Sequence, residues 1–214
     1  MGAADLLAFA LQQLPADTSL DLREHRARRR VISERAKQAG ARQVIDVALA
    51  LHEAGWSLVA FELVGHHRAA QTSITLRDVE RFGSRMSDWG SVDAFGSLLA
   101  GPAWLAGAIV DHDVLAWTAR DDPLWRRAAL VATTVLNTKS RGGSGDTART
   151  LLICDELVDD REDLVVKAES WALRALSPWD PSAVSAFLER HDDRLAARVK
   201  REVGNKLRTG KKSG

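Results

Sequence analysis

The sequence predicts an all-α fold, a superhelical solenoid of HEAT-like helix pairs, and three observations carry that expectation. Alanine, leucine and arginine, all good helix formers, recur along the whole chain. No stretch of useful length alternates apolar and polar residues, so sheet content near zero is expected. The apolar residues fall instead into many short segments joined by brief connections, as a bundle or a stack of helix pairs requires.

Taken in order, candidate helices cover residues 4–14, 20–39, 41–54, 57–67, 76–86, 91–99, 103–110, 114–119, 123–136, 147–157, 161–176 and 181–189. Asp122-Pro123 and Asp180-Pro181 each place a capping carboxylate before a proline at the first helical position. Gly40, Gly55 and Gly101 fit helix ends. The segment SRGGSG at residues 140–145 is expected to be a flexible loop, and the tail after Gly204 is rich in Gly and Lys with little apolar content. The segments around Asp93, Arg127 and Trp171 lie 34 and 44 residues apart, near the repeat of about 40–47 residues found in HEAT-type pairs.

At 214 residues, one domain (1–214) is expected, with enough chain to bury a core without a disulfide or metal staple. A hydrophobic fraction of 45% and a charged fraction of 28% exclude disorder. No apolar stretch approaches the roughly 20 residues of a membrane span and no secretory signal pattern opens the chain, so a cytoplasmic protein with no membrane partner is expected. Cys154 has no second cysteine to pair with and is expected in the core. The net charge of +1 hides an uneven distribution. Basic residues crowd into REHRARRR at 23–30 and RVKREVGNKLRTGKK at 198–212, while DELVDDRED at 155–163 is acidic.

Seven tryptophans without one tyrosine is an unusual aromatic set. Trp89 and Asp93 are four residues apart and share a face if a helix starts near Trp89. Arg126 and Arg127 interrupt an otherwise apolar helix, and Trp171 lies in KAESWALRAL. Stacked helix pairs can bring such residues, one from each repeat, onto one concave surface. Trp56, Trp104, Trp117, Trp125 and Trp179 are expected in the core or partly buried. Neither His66-His67 nor Asp111-His112-Asp113 has the helical ligand spacing of a metal site, so no metal and no cofactor is expected.

The runs DWGSVDAFGS, LWRRAALVATTVL, ICDELVDDREDLVVKAESWALRAL and AFLERHDDRLAARVKREVGNKLRTGKK, in that order from about Met86 to Lys212, resemble the AlkD-like family of DNA alkylation repair proteins. The resemblance implies a solenoid whose basic concave face holds duplex DNA, and hydrolysis of the N-glycosidic bond of cationic N3- or N7-alkylated purines. It implies that Asp93 is the catalytic acid, that Trp89 and Trp171 flank the lesion, and that Arg127 contacts DNA. It further implies engagement of the lesion from its backbone side, without base flipping. Residues 1–85 diverge from the family pattern, and Gly90 stands where an Asp often follows the motif tryptophan.

The physical chemistry agrees with those roles. A cationic purine is already a good leaving group, so the barrier lies in the oxocarbenium-like sugar, which a carboxylate at Asp93 would stabilise while orienting water. Indole faces attract cations by about 0.5–2 kcal/mol, which suits Trp89 and Trp171. Arg126 and Arg127, with Lys206, Arg208, Lys211 and Lys212 of the tail, are the candidate phosphate contacts. The expected partner is double-stranded DNA containing alkylated purines, bound by a monomer. The REHRARRR run fits either a solvated helix face or a DNA contact. The rival functions are a non-enzymatic protein that binds branched or distorted DNA and a helical scaffold that binds proteins.

Overall fold

Several helix starts in this chain are fixed by polar side chains that accept from backbone N–H groups. The computed structural model describes residues 2–15 and 21–212, and all regular structure among them is helical. Helix α1 (Ala3–Gln13) is followed by α2 (Leu22–Ala36), whose start is a reciprocal cap between Asp21 and Glu24. Leu20, inside the second candidate helix, lies outside the described residues. Helices α3 (Ala41–Glu53), α4 (Ser57–Gly65), α5 (Arg68–Ser73) and α6 (Leu76–Gly83) follow. The side chain of His67 caps α5, and Thr75 and Asp78 cap α6 reciprocally. Helix α5 had no counterpart among the candidate helices; at six residues it is too short to show a periodic pattern.

The candidate helix at 91–99 and the first residues of that at 103–110 are one continuous rod, which ends at Leu105, so residues 106–110 are not helical. Helix α7 (Trp89–Phe95) passes through a π-helical turn at Gly96–Ala100 into α8 (Gly101–Leu105). Gly101 therefore lies inside a helix and not at an end, with its N–H bonded to the Gly96 carbonyl. Its neighbour explains why. A Cβ on Gly101 would stand 2.5 Å from Val135, and one on Gly96 would stand 2.7 Å from Val131, so both glycines let the rod lie close against the next inner helix.

The chain continues with α9 (Asp111–Thr118), α10 (Pro123–Leu136), α11 (Thr147–Leu157), α12 (Asp163–Leu176), α13 (Pro181–Arg190) and α14 (Ala197–Thr209). The two Asp-Pro caps form as expected, with Asp122 accepting from the Leu124 N–H and Asp180 from that of Ala183. Successive helices α4, α7, α10, α12 and α14 pack side by side in one row. Helix α3 backs α4, α9 and α11 back α10, and α13 backs α14. This is the expected superhelical stack of helix pairs, with α10 buried along nearly its whole length.

Two further expectations need correction. The SRGGSG segment is a tied turn, because Gly143 and Gly145 donate to the Thr138 and Leu136 carbonyls and Trp179 packs against Gly145. The basic tail is largely helix α14, anchored by Val199 and Val203 in the core. As expected, Cys154 and Trp56, Trp104, Trp117 and Trp125 are buried and Trp179 is half-buried, donating to the Asn137 carbonyl. Among the described residues no helix is long and apolar enough to cross a membrane.

One core residue is out of keeping with its surroundings. Glu169 is 1% exposed on the apolar face of α12, and one of its carboxyl oxygens meets no hydrogen-bond partner among the described residues. Burial pushes this carboxyl up to about 8. The folded protein thus retains a proton that the unfolded chain releases near the ordinary carboxylate value of about 4.3. Stability therefore falls as pH rises across that interval and levels off above it.

Two outcomes are expected from these features. Glu169→Gln raises the melting temperature by several degrees at pH 8–9 and by little below pH 4.5; a pH-independent effect in thermal melts would sink this account. Gly96→Ala, which stabilises an ordinary helix, here costs about 1–3 kcal/mol through overpacking against Val131. Urea unfolding in a Val131→Ala background should recover most of that loss.

Candidate functional site

Asp88 builds one wall of a cleft by starting α7 at Trp89. Its carboxylate accepts from the N–H groups of Gly90 and Ser91 at 2.7 and 2.9 Å, so the glycine following the tryptophan is itself part of the cap. A start at Trp89 puts Trp89 and Asp93 one turn apart on a common face, as the spacing predicts. Trp89 is 71% exposed at the cleft edge. The remaining walls are the starts of α10 and α12, and the enclosed volume is about 650 Å³.

Arg127 crosses the floor between these three helices. Its Nε and Nη2 donate to the two carboxylate oxygens of Asp93, both at 2.8 Å, and its Nη1 donates to the Leu164 carbonyl. One guanidinium on α10 thereby grips α7 through a carboxylate and α12 through its backbone. The side chain of Arg127 is 7% exposed and that of Asp93 is 22% exposed. Bidentate pairing of this kind fixes both groups in one geometry.

The cleft is rich in acids. Asp88, Asp122 and Asp163 line it, against Arg127 and Lys167, and Asp93 lies at hydrogen-bond distance from Arg127. Such walls favour a cation over an anion. Cations gather along the neighbouring face of α12, where Lys167, Trp171 and Arg174 recur at helical spacing. Lys167 pairs with Asp163 at 2.6 Å, and Asp163 also holds Arg198 of α14 at 3.2 Å. Trp171 is half-buried one turn beyond Lys167, packed against the core.

The other sequence-predicted residues are placed as follows. Arg126 bonds Asp160 at 2.7 Å and the Arg120 and Asp121 carbonyls, tying the turn before α10 to the turn before α12. Lys206 donates to the Gly210 carbonyl and Arg208 to the Asn205 side chain at the end of α14. Lys211 is exposed, and Lys212 reaches Glu202 at 3.5 Å. The structure thus lines one cleft with Trp89 and Arg127, holds Asp93 against Arg127, and places Trp171 on the adjoining helix face, with the tail cations at and beyond the end of α14. Sequence reasoning missed Asp163 and Lys167, although their i, i+4 spacing is a visible signal. Asp111, part of the DHD triplet, accepts from the Trp104 indole and pairs with Arg149.

A family model described as DNA alkylation repair enzyme matches residues 24–207. That span contains the whole cleft and reaches well upstream of Met86, into α2. No curated protein and no solved structure matches the chain.

The clamp has a measurable consequence for stability. Arg127→Ala removes the link between three helices and leaves a partly buried carboxylate without its partner, at an expected cost of about 3 kcal/mol. Lysine offers a single point charge in place of a planar fork, so Arg127→Lys should restore less than half of it. Equilibrium urea unfolding of both variants measures this; a loss below about 1 kcal/mol in Arg127→Ala would show that the clamp does not hold the helices together.

Proposed function

The chain belongs to the DNA alkylation repair enzyme family, and from that premise we propose that it is a DNA glycosylase hydrolysing the N-glycosidic bond of cationic N3- or N7-alkylated purines in duplex DNA. One observation carries the proposal. Asp93, on the same helix face as the exposed Trp89, is held at fixed geometry by Arg127, which itself lines an acid-rich cleft. A pure DNA binder has no need of that concentration of negative charge, since it would repel phosphates.

In the proposed reaction the bond from the sugar carbon to the purine nitrogen stretches, and its electron pair leaves with the cationic base, which becomes neutral. Positive charge develops on the deoxyribose. The Asp93 carboxylate stabilises that charge and orients the water that attacks the sugar carbon, and the proton this water loses passes to solvent. Each carboxylate oxygen accepts one N–H from Arg127, which leaves lone pairs for a water molecule. Arg127 is then foremost a positioning residue for Asp93, with any phosphate contact made through N–H groups the clamp leaves unused.

The indole of Trp89, and that of Trp171 on the adjoining helix, supply faces for the cationic sugar and base. Phosphates are bound by the cations of α12 and α14 and by Lys206, Arg208, Lys211 and Lys212. Engaging the lesion from its backbone side needs no base flipping, in keeping with an open cleft between helix starts. No metal or organic cofactor enters the reaction, and a monomer is sufficient for it.

The test is release of base from duplex DNA carrying N7-methylguanine or a bulky N3-alkyladenine. Wild-type protein should release base at a rate well above spontaneous depurination, and Asp93→Asn should lose about 10²–10³-fold while retaining DNA binding. No release from any cationic lesion, combined with tight binding to branched DNA, would replace the enzyme with the non-catalytic binder.

A further inference from the structure

Glu202 sits in the middle of a group of cations that it cannot neutralise alone. On α14 it is 13% exposed, and its carboxylate accepts from the buried Ser170 hydroxyl at 2.7 Å. Around it stand Lys212 at 3.5 Å, Arg174 at 3.9 Å and Arg198 at 4.0 Å. Arg198 also reaches Asp163, which holds Lys167. The network from Lys167 to Lys212 therefore contains four cations and two carboxylates, and the surplus is positive.

The donors in this network are incompletely used. Arg174 is only 17% exposed, yet its one hydrogen bond among the described residues runs from Nε to the Ser170 hydroxyl at 3.2 Å. Its two terminal amino groups meet no acceptor there. A guanidinium fork in a largely desolvated position, with its terminal donors free, is the shape that receives a phosphate. Burial opposes the charge on Glu202, but Ser170, Lys212 and Arg174 outweigh it and hold the carboxyl below its usual range. The carboxylate thus stays ionised and keeps its cations in place.

We infer that Arg174, Arg198 and Lys212, organised by Glu202 and Ser170, form a binding site for one backbone phosphodiester of the duplex, next to Trp171. This inference rests on the proposed DNA-directed function and adds to it a site whose positioning residue is an acid. Lys167, Ser170, Trp171 and Arg174 lie on one stripe of α12, so a phosphate held there fixes the strand relative to the indole. The C-terminal segment takes part through Lys212, drawn onto α12 by the carboxylate it shares with the two arginines.

Simple charge counting and the inferred site give opposite signs for one substitution. If Glu202 only neutralises, Glu202→Gln strengthens binding to an anionic duplex. If Glu202 organises the site, Glu202→Gln weakens binding about three- to tenfold and reduces the slope of log K against log salt by about one phosphate, roughly 0.9. Fluorescence anisotropy with an undamaged duplex over a KCl series reads both quantities. Arg174→Gln should lose the same increment, and the double variant no more than either alone, because both act on one phosphate. Glu202→Asp should recover part of the slope. Tighter binding by Glu202→Gln, or additive losses in the double variant, would overturn the site while leaving the glycosylase proposal standing. If Glu202→Gln fails to fold, an unchanged salt slope in Arg174→Gln overturns it instead. A wild-type protein that binds no duplex even at low salt would overturn both.

Discussion

The guanidinium of Arg127 is the point on which the inner row of helices depends. A largely buried cation is stabilised by an opposite charge and by acceptors for its donors, and here the Asp93 carboxylate on α7 and the Leu164 carbonyl on α12 take three of its N–H groups. Because the two bonds to α7 and the one to α12 all start from a single guanidinium on α10, none can be lost without loosening the others. The glycines at 96 and 101 serve the same interface. They remove the side chains that would hold the α7–α8 rod away from α10, so that Val131 and Val135 lie directly against helical backbone. The π-helical turn between those glycines adds one residue to a helical turn, which gives the residues before and after it different facings.

Charge is divided along the molecule by task. Carboxylates collect at the starts of α7, α10 and α12, where Asp88 and Asp122 cap their helices by accepting from backbone N–H groups and Asp163 sits in the first turn. Cations collect on the outer stripe of α12 and on α14. A net charge of +1 is the sum of these opposed surfaces and says little about either. In the proposed reaction the division is useful, since the lesion and the developing sugar charge are positive while the backbone is negative. In that reaction the same residues serve folding and recognition, because the capping acids that start the helices also line the cleft.

The fold was legible in the sequence to the extent that local chemistry decides it. Asp122-Pro123 and Asp180-Pro181 announced two helix starts, and the Trp89–Asp93 spacing announced a shared face. What was hidden depends on contacts between distant residues. Nothing local distinguishes Gly101 at a helix end from Gly101 inside a π-helical rod; the choice is made by Val135, which is remote in sequence. The tail after Gly204 is poor in apolar residues, yet Val199, Val203 and Leu207 recur every four residues and bury a thin stripe of α14. The expected looseness of SRGGSG failed for a similar reason, because its glycines are needed for close approach to the Leu136 carbonyl and the Trp179 ring. Of the site, residue types were legible and partnerships were not. Arg127 was visible as an odd cation in an apolar helix, but only the fold shows that its partner is Asp93.

That partnership constrains what Asp93 can do. Both of its oxygens accept from the same rigid fork, so the carboxylate cannot rotate toward a substrate, and the substrate must come to it. A fixed acid is a poor shuttle for protons that must be collected in one place and delivered in another. It is well suited to stabilising a charge that develops at a fixed point, because no reorganisation is needed as the charge grows. Depurination of a cationic base makes that single demand, since the leaving group already carries its positive charge and needs no proton. The clamp that holds the repeats together and the chemistry proposed for the cleft therefore ask the same thing of Asp93, which is to stay still.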